Sequence, residues 1–182
     1  MNIYLWIIAL SWLTFFSYWL ISARKVKKVI QRGSNERFGF IIILVVISLL
    51  FLHFFPNFHV FPHTRLLQQI GAILCVVGVA FAVWARAHLG KNWNREPSIQ
   101  EKHELVTSGP YQFVRHPIYT GILLMYIGTS FVAGLIWLVI FIFLSYKFIQ
   151  RIRVEEGYMM QLFPQAYPEY KKRTKALIPF IW

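Results

Sequence analysis

The densest run of chemically capable side chains lies in the middle of the chain, His103-Glu104-Leu105-Val106-Thr107-Ser108-Gly109-Pro110-Tyr111-Gln112-Phe113-Val114-Arg115-His116-Pro117-Ile118-Tyr119-Thr120-Gly121. Ser108-Gly109-Pro110 reads as a turn. Pro117 suits the first turn of a helix, where the N–H it lacks would have no partner anyway. Arg115 and His116 then stand at the backbone donors of a helix N-terminus, a place able to receive an anionic group. The same residues have a plainer use, with Arg115 at a lipid headgroup and Tyr111 and Tyr119 in an interfacial aromatic belt. Further on, Arg151 and Glu155 are four residues apart, hence on one face if a helix runs through both. Taken alone, that pair reads by default as an ordinary solvated salt bridge.

Other patterns lead away from metals and nucleotides. His103-Glu104 opens like a zinc-protease motif, but Thr107 stands where the second histidine belongs. His59 and His63 have the right separation, yet Pro62 interrupts them and no carboxylate is near, so no metal site is expected. His53 and His88 read as interface residues. No Gly-x-Gly-x-x-Gly is present, which leaves a Rossmann site without support. Cys75 is the sole cysteine and lies in an apolar run, so it reads as a small buried hydrophobe.

The elements that position these residues are membrane spans. Of 182 residues 57% are hydrophobic and 14% charged, more apolar surface than a soluble domain of this length can hide. Ile3–Ser22 is a first span, with no basic n-region and too long for a cleaved leader, so it is expected to be retained. Phe38–Phe55, closed by Pro56, is a second and Leu66–Ala85 a third. Gly71 and Gly78 share one face of the third and permit close helix packing. Residues 86–116 form the longest polar segment. Apolar character then runs from Pro117 to Ile149, too long for one upright span and short for two, so a bend is expected at Ser130–Gly134. The second arm can continue past Arg151, and a polar, aromatic tail follows to Trp182.

The net charge of +12 is not a nucleic-acid signature, because the basic residues flank apolar runs instead of forming a stripe. With the spans above, 18 of the 19 basic residues fall on one face and only Arg65 on the other. All seven acidic residues join the majority. The positive-inside rule makes that face cytoplasmic, with the N-terminus outside and the C-terminus inside. The expectation is one all-α integral membrane domain over residues 1–182 with about five transmembrane helices. Three lie in 1–85; residues 86–182 hold the polar loop, a helical hairpin and a helical cytoplasmic tail. The compact length points to a prokaryotic plasma membrane rather than the endoplasmic reticulum.

The segment from His103 to Gly121 resembles the isoprenylcysteine carboxyl methyltransferase family and its phospholipid methyltransferase-like relatives. The hallmark is His-x-Leu-Val, then Gly-x-Tyr, then Arg-His-Pro-x-Tyr-x-Gly. A second matching element is Glu155-Glu156 followed by Phe163-Pro164-Gln165-Ala166-Tyr167-Pro168-Glu169-Tyr170 and Pro179; Pro164 and Pro168 stand where the family often has Gly and Glu. A weaker third is Leu89-Gly90-Lys91-Asn92-Trp93. The resemblance covers Arg86 to Trp182. It implies an S-adenosylmethionine site that includes His103, Glu104, Leu105, Val106, Tyr111, His116, Pro117, Ile118, Tyr119 and Glu155. Glu96 or Gln100 would add a contact upstream. It also implies that Arg151 handles the acceptor, with Arg151, Glu155 and Arg115 as candidates for the chemical step.

Methyl transfer from a sulfonium is an in-line displacement that needs alignment more than a covalent intermediate. Aromatic faces (Tyr111, Tyr119) and a carboxylate (Glu155) suit a cationic donor. A carboxylate acceptor could be held by Arg151 or Arg115, whereas an amine or thiol would need a base, for which Glu155 or His116 is nearest. Position at the membrane interface favours a lipophilic acceptor reached through the bilayer, and the family resemblance implies that it is a prenylcysteine-type carboxylate. The competing readings are phospholipid-amine or thiol methylation, an NADPH-dependent reductase of the sterol-reductase type, and a non-enzymatic membrane scaffold.

Overall fold

The computed structural model describes residues 2–22, 64–93, 104–179 and 181, together with the backbone of 29–32 and 98–100. The second apolar run, Phe38–Phe55, and its following loop with His59, Pro62 and His63 lie outside the described residues, as do His53, Glu96 and His103. Five α-helices are described: α1 Ile3–Ser22, α2 Arg65–Leu89, α3 Pro117–Ala133, α4 Leu135–Leu162 and α5 Ala166–Arg173. The helical fold agrees with the sequence reading. One feature does not: a short antiparallel pair, β1 Val29–Arg32 with β2 Ser98–Gln100, joins the loop after α1 to the central polar segment. Val29, Ile30 and Ile99 are β-branched, and short extended segments of such residues pair readily once brought side by side.

Three of these helices, α1, α2 and α4, are long and apolar enough to cross a membrane. The bend falls at Gly134, whose φ of 99° is open to glycine but costly for other residues. At about 1.5 Å per residue the arms are unequal, with α3 about 26 Å long and α4 about 42 Å. The first falls short of a hydrocarbon core of about 30 Å and the second overshoots it. The excess length carries Arg151, Glu155 and Glu156 beyond the apolar part of α4.

Each helix end has a local cause. Thr64 caps α2, its hydroxyl accepting the Leu67 N–H at 3.3 Å. Gly90, at φ 57°, terminates α2. Pro117 occupies the first turn of α3. Pro164 disfavours helical geometry at Phe163, and α4 stops at Leu162. Pro168 is accommodated because it falls in the first turn of α5.

The helices pack most closely where α2 meets α3. Gly78 faces the Gly121 carbonyl and Gly71 that of Gly128, so near that an added Cβ would stand 2.6 Å from either oxygen. Glycines at spacing seven on both antiparallel helices let the backbones touch, as small residues do in membrane packing. Ile8 and Phe15 of α1, Cys75, Val79 and Ala82 of α2, and Met125 and Val132 of α3 form the adjoining core. Cys75 is fully buried there. Two polar side chains inside the bundle are satisfied locally: Trp12 Nε1 donates to Thr129 Oγ1 at 3.0 Å, and Thr129 to the Met125 carbonyl at 2.7 Å.

Candidate active site

The ends of α1, α2, α3 and the overshoot of α4 converge at one face of the bundle. Buried Arg86 fastens the first two, donating to the Ser22 and Gly90 carbonyls at 2.8 Å each while its guanidinium lies 4.4 Å from the Trp93 ring centre. Tyr111, from the turn Gly109–Gln112, packs with Ala85 and Ile118, bordered by Val106, Trp93 and Tyr119. Gly109 has φ 60° and lies so close to His88 that a Cβ would be 2.8 Å from its ring.

A cavity of about 530 Å³ opens beside this cluster, lined by His88, Leu89, Lys91 and Asn92 on one side and Glu104 to Ser108 on the other. His88 Nε2 is 2.9 Å from Ser108 Oγ, and its ring stacks on Tyr111 with centroids 6.4 Å apart. Asn92 Nδ2 donates to Glu104 Oε2 at 3.3 Å. His88, which the sequence marks only as an interface residue, is therefore part of the cavity wall.

Next to Tyr111 stands a charged cluster built between α3 and α4. Glu155 accepts from Tyr119 Oη at 2.6 Å and from Arg151 Nε at 2.9 Å, and lies 3.4 Å from His116 Nδ1. Glu156 accepts from Arg115 Nε and Lys171 Nζ, each at 2.7 Å, and its Oε1 is 3.6 Å from His116 Nε2. The His116 ring lies parallel to Tyr119 at 5.6 Å, and Tyr119 stacks on Phe148 at 4.5 Å. Burial alone would lower the His116 pKa, but hydrogen bonding and charge from Glu155 and Glu156 outweigh it and raise it above its ordinary value. Burial holds the Tyr111 phenol far up, beyond its normal range.

The tail closes this cluster from outside. The Arg115 and His116 N–H groups donate to the Lys175 and Ala176 carbonyls at 2.8 and 3.0 Å, and Thr120 Oγ1 donates to the Leu177 carbonyl at 2.8 Å. Arg115 also donates to the Thr174 carbonyl, and Tyr170 Oη to the Tyr111 carbonyl at 2.6 Å. The sequence reading offered these helix-entry donors to an anion. In the structure the tail carbonyls take them, because residues 174–177 run alongside Val114 as an extended strap.

Of the residues singled out by sequence, Arg115, His116, Tyr119, Arg151 and Glu155 come together with Glu156 between them. Glu104, Leu105 and Val106 line the cavity instead, and Tyr111 links the two groups. Pro117 and Ile118 are buried at the start of α3, where they shape its entry. Arg115 is committed to Glu156 and to tail carbonyls, whereas Arg151 lies directly against Glu155. Glu156 and Lys171 escaped the sequence reading as site residues, although the doubled glutamate was visible.

A sequence model described as the isoprenylcysteine carboxyl methyltransferase (ICMT) family matches residues 71–161. A protein-S-isoprenylcysteine O-methyltransferase of Saccharomyces cerevisiae is 32% identical, across 99% of this chain and 80% of the yeast one. The enzyme of that name from Dictyostelium discoideum is 33% identical, over 72% of this chain and 58% of its own. The fold resembles a solved eukaryotic intramembrane Ras methyltransferase, ICMT, with a TM-score of 0.61 and 27% identity over 82% of this chain. The chain spans about half of that solved protein, 55%.

Proposed function

We propose, because the chain belongs to the isoprenylcysteine carboxyl methyltransferase family, that it transfers a methyl group from S-adenosylmethionine to the carboxylate of a lipophilic, prenylcysteine-type acceptor. The observation that supports this most directly is the convergence of Tyr119, Arg151 and His116 on Glu155, beside a cavity of nucleoside-accommodating size.

The residues present fit such a donor. Glu104 and Asn92 offer polar partners on the cavity wall. The Glu155 carboxylate suits a positively charged sulfur, while the Tyr119 ring, stacked against His116 and Phe148, holds the groups around it in place. When bound, the cofactor supplies an electrophilic methyl group on a sulfonium. The chain's own task is alignment and exclusion of water. Glu155 holds Arg151 by its Nε and so fixes the plane of the guanidinium, which in this reading orients the acceptor carboxylate. An ionised carboxylate needs no general base. Arg115 acts from behind, tying the strap and Glu156 to the entry of α3.

The charge asymmetry supports an orientation with the N-terminus outside and the site at the cytoplasmic face. The overshoot of α4 lifts its charged residues out of the hydrocarbon while its apolar half remains within, so the acceptor's chain can lie in the bilayer as its carboxylate reaches Arg151.

The test is incubation of membranes containing the protein with methyl-labelled S-adenosylmethionine, a farnesylated cysteine and a total lipid extract. A methyl ester is expected, recognised as organic-soluble label released by mild alkali. Label confined to alkali-stable lipid amines or thioethers would overturn the carboxylate assignment, and none at all the enzyme assignment.

A further inference from the structure

We propose that Glu156 is a positioning residue of this site, holding His116 against Glu155 and tying that arrangement to the tail. The inference rests on the methyl-transfer reading for its catalytic consequence but not for its structural content. Consecutive helical residues point about 100° apart. Glu155 and Glu156 therefore approach the His116 ring from two directions, one at each nitrogen, at 3.4 and 3.6 Å.

The two carboxylates have different partners. Glu155 gathers Tyr119 of α3 and Arg151 of its own helix. Glu156 gathers Arg115 and Lys171, which belong to the α3 entry and to α5. His116 is shared between them. Its Nε2 is buried and has no hydrogen-bond partner among the described residues, with the Glu156 carboxylate 3.6 Å away. An imidazole bearing protons on both nitrogens satisfies both carboxylates; a neutral one satisfies a single side. The charged and titratable groups around it are Glu155, Glu156 and Arg151 on α4, Lys171 and Tyr167 on α5, and Arg115 and Tyr119 on its own segment.

The Glu156 side chain is only 9% exposed and that of Arg115 8%, so neither charge can turn to water when the other is removed. Lys171 and the strap carbonyls lie beyond residue 161, where the family match ends. Through Glu156, then, a part of the chain outside that match sets how His116 meets Glu155.

The experiment uses the full chain in detergent, labelled with ¹⁵N-histidine. Ring-nitrogen signals are followed against pH in parent and Glu156→Gln, and kcat and KM for S-adenosylmethionine are measured alongside. Glu156→Gln is expected to move the His116 midpoint down by about one pH unit. It should lower kcat about tenfold with KM changed about twofold or less, and shift the alkaline limb of the kcat profile down with the midpoint. Glu156→Asp should restore part of both. A Glu156→Gln protein with the parental His116 midpoint and kcat profile overturns the proposal. The parent also tests it alone, since an Nε2 without a proton at neutral pH removes the hold even if the variant fails to fold. Absence of methyl transfer by the parent would instead count against the enzymatic reading, leaving the titration to decide on Glu156.

Discussion

Tyr119 donates its phenolic hydrogen to Glu155 at 2.6 Å, although the two residues are 36 positions apart and on different helices. This contact locks the start of α3 to the projecting end of α4. Arg151 adds a second bond to the same oxygen, so the carboxylate is held from two sides.

Glu155→Gln should lower methyl transfer by about 10²-fold, the scale of a misaligned reacting pair. The amide keeps the shape but leaves Arg151 without its counter-charge. Labelled methyl transfer per folded molecule, with elution from a sizing column as the control, measures it. Activity within twofold of the parent would show that Glu155 is not at the reacting centre.

Tyr119→Phe keeps the ring stacked on Phe148 and His116 and removes only the hydroxyl. Losing a hydrogen bond to a charged group should cost about 1.5–3 kcal/mol. Thermal unfolding in detergent should register that loss, with methyl transfer falling in parallel.

Gly78→Ala places a methyl group 2.6 Å from the Gly121 carbonyl, a backbone atom that cannot move aside. Destabilisation of at least about 1–3 kcal/mol is expected. Gly157→Ala is the matched control: its added Cβ meets nothing within 4 Å among the described residues, and helix propensity favours Ala by roughly 0.8–1 kcal/mol. If both variants melt alike, glycine packing between α2 and α3 is not what holds the bundle.

His116 has a raised pKa in the folded chain, so the folded state binds its proton more tightly than the unfolded state does. The resulting stability is complete below the ordinary imidazole value of 6.5 and is lost as pH rises through the folded value. The parent's melting temperature should therefore decline as pH rises above 6.5, and His116→Asn should flatten that decline. A variant as pH-dependent as the parent would assign the effect to another group.

Removing residues 174–182 takes away the carbonyls that receive the Arg115, His116 and Thr120 donors. Each hydrogen bond lost costs about 0.5–1.5 kcal/mol. The truncated chain should be unstable in detergent, and proteolysis should cut first around residues 114–116. Parental stability would show that the strap is dispensable.

The amino-acid order by itself determined the spans it could describe through local composition. Ile3–Ser22 is a helix with those limits, and the bend falls at Gly134 within the stretch expected for it. Pro117 starts its helix, since a missing N–H and a fixed φ act on the residue that bears them. The motif from Glu104 to Tyr119 and the Arg151–Glu155 spacing marked which residues to watch. What only the tertiary structure decided is which of them meet. Spacing cannot reveal that Arg115 faces Glu156 rather than an anion, that His88 lines the cavity with Ser108, or that residues 174–177 strap the entry of α3. Those partners are 20 to 60 positions apart, and their proximity follows from the crossing of α2 on α3 and the length of α4. Helix periodicity reports which face a side chain occupies; only packing reports what stands opposite.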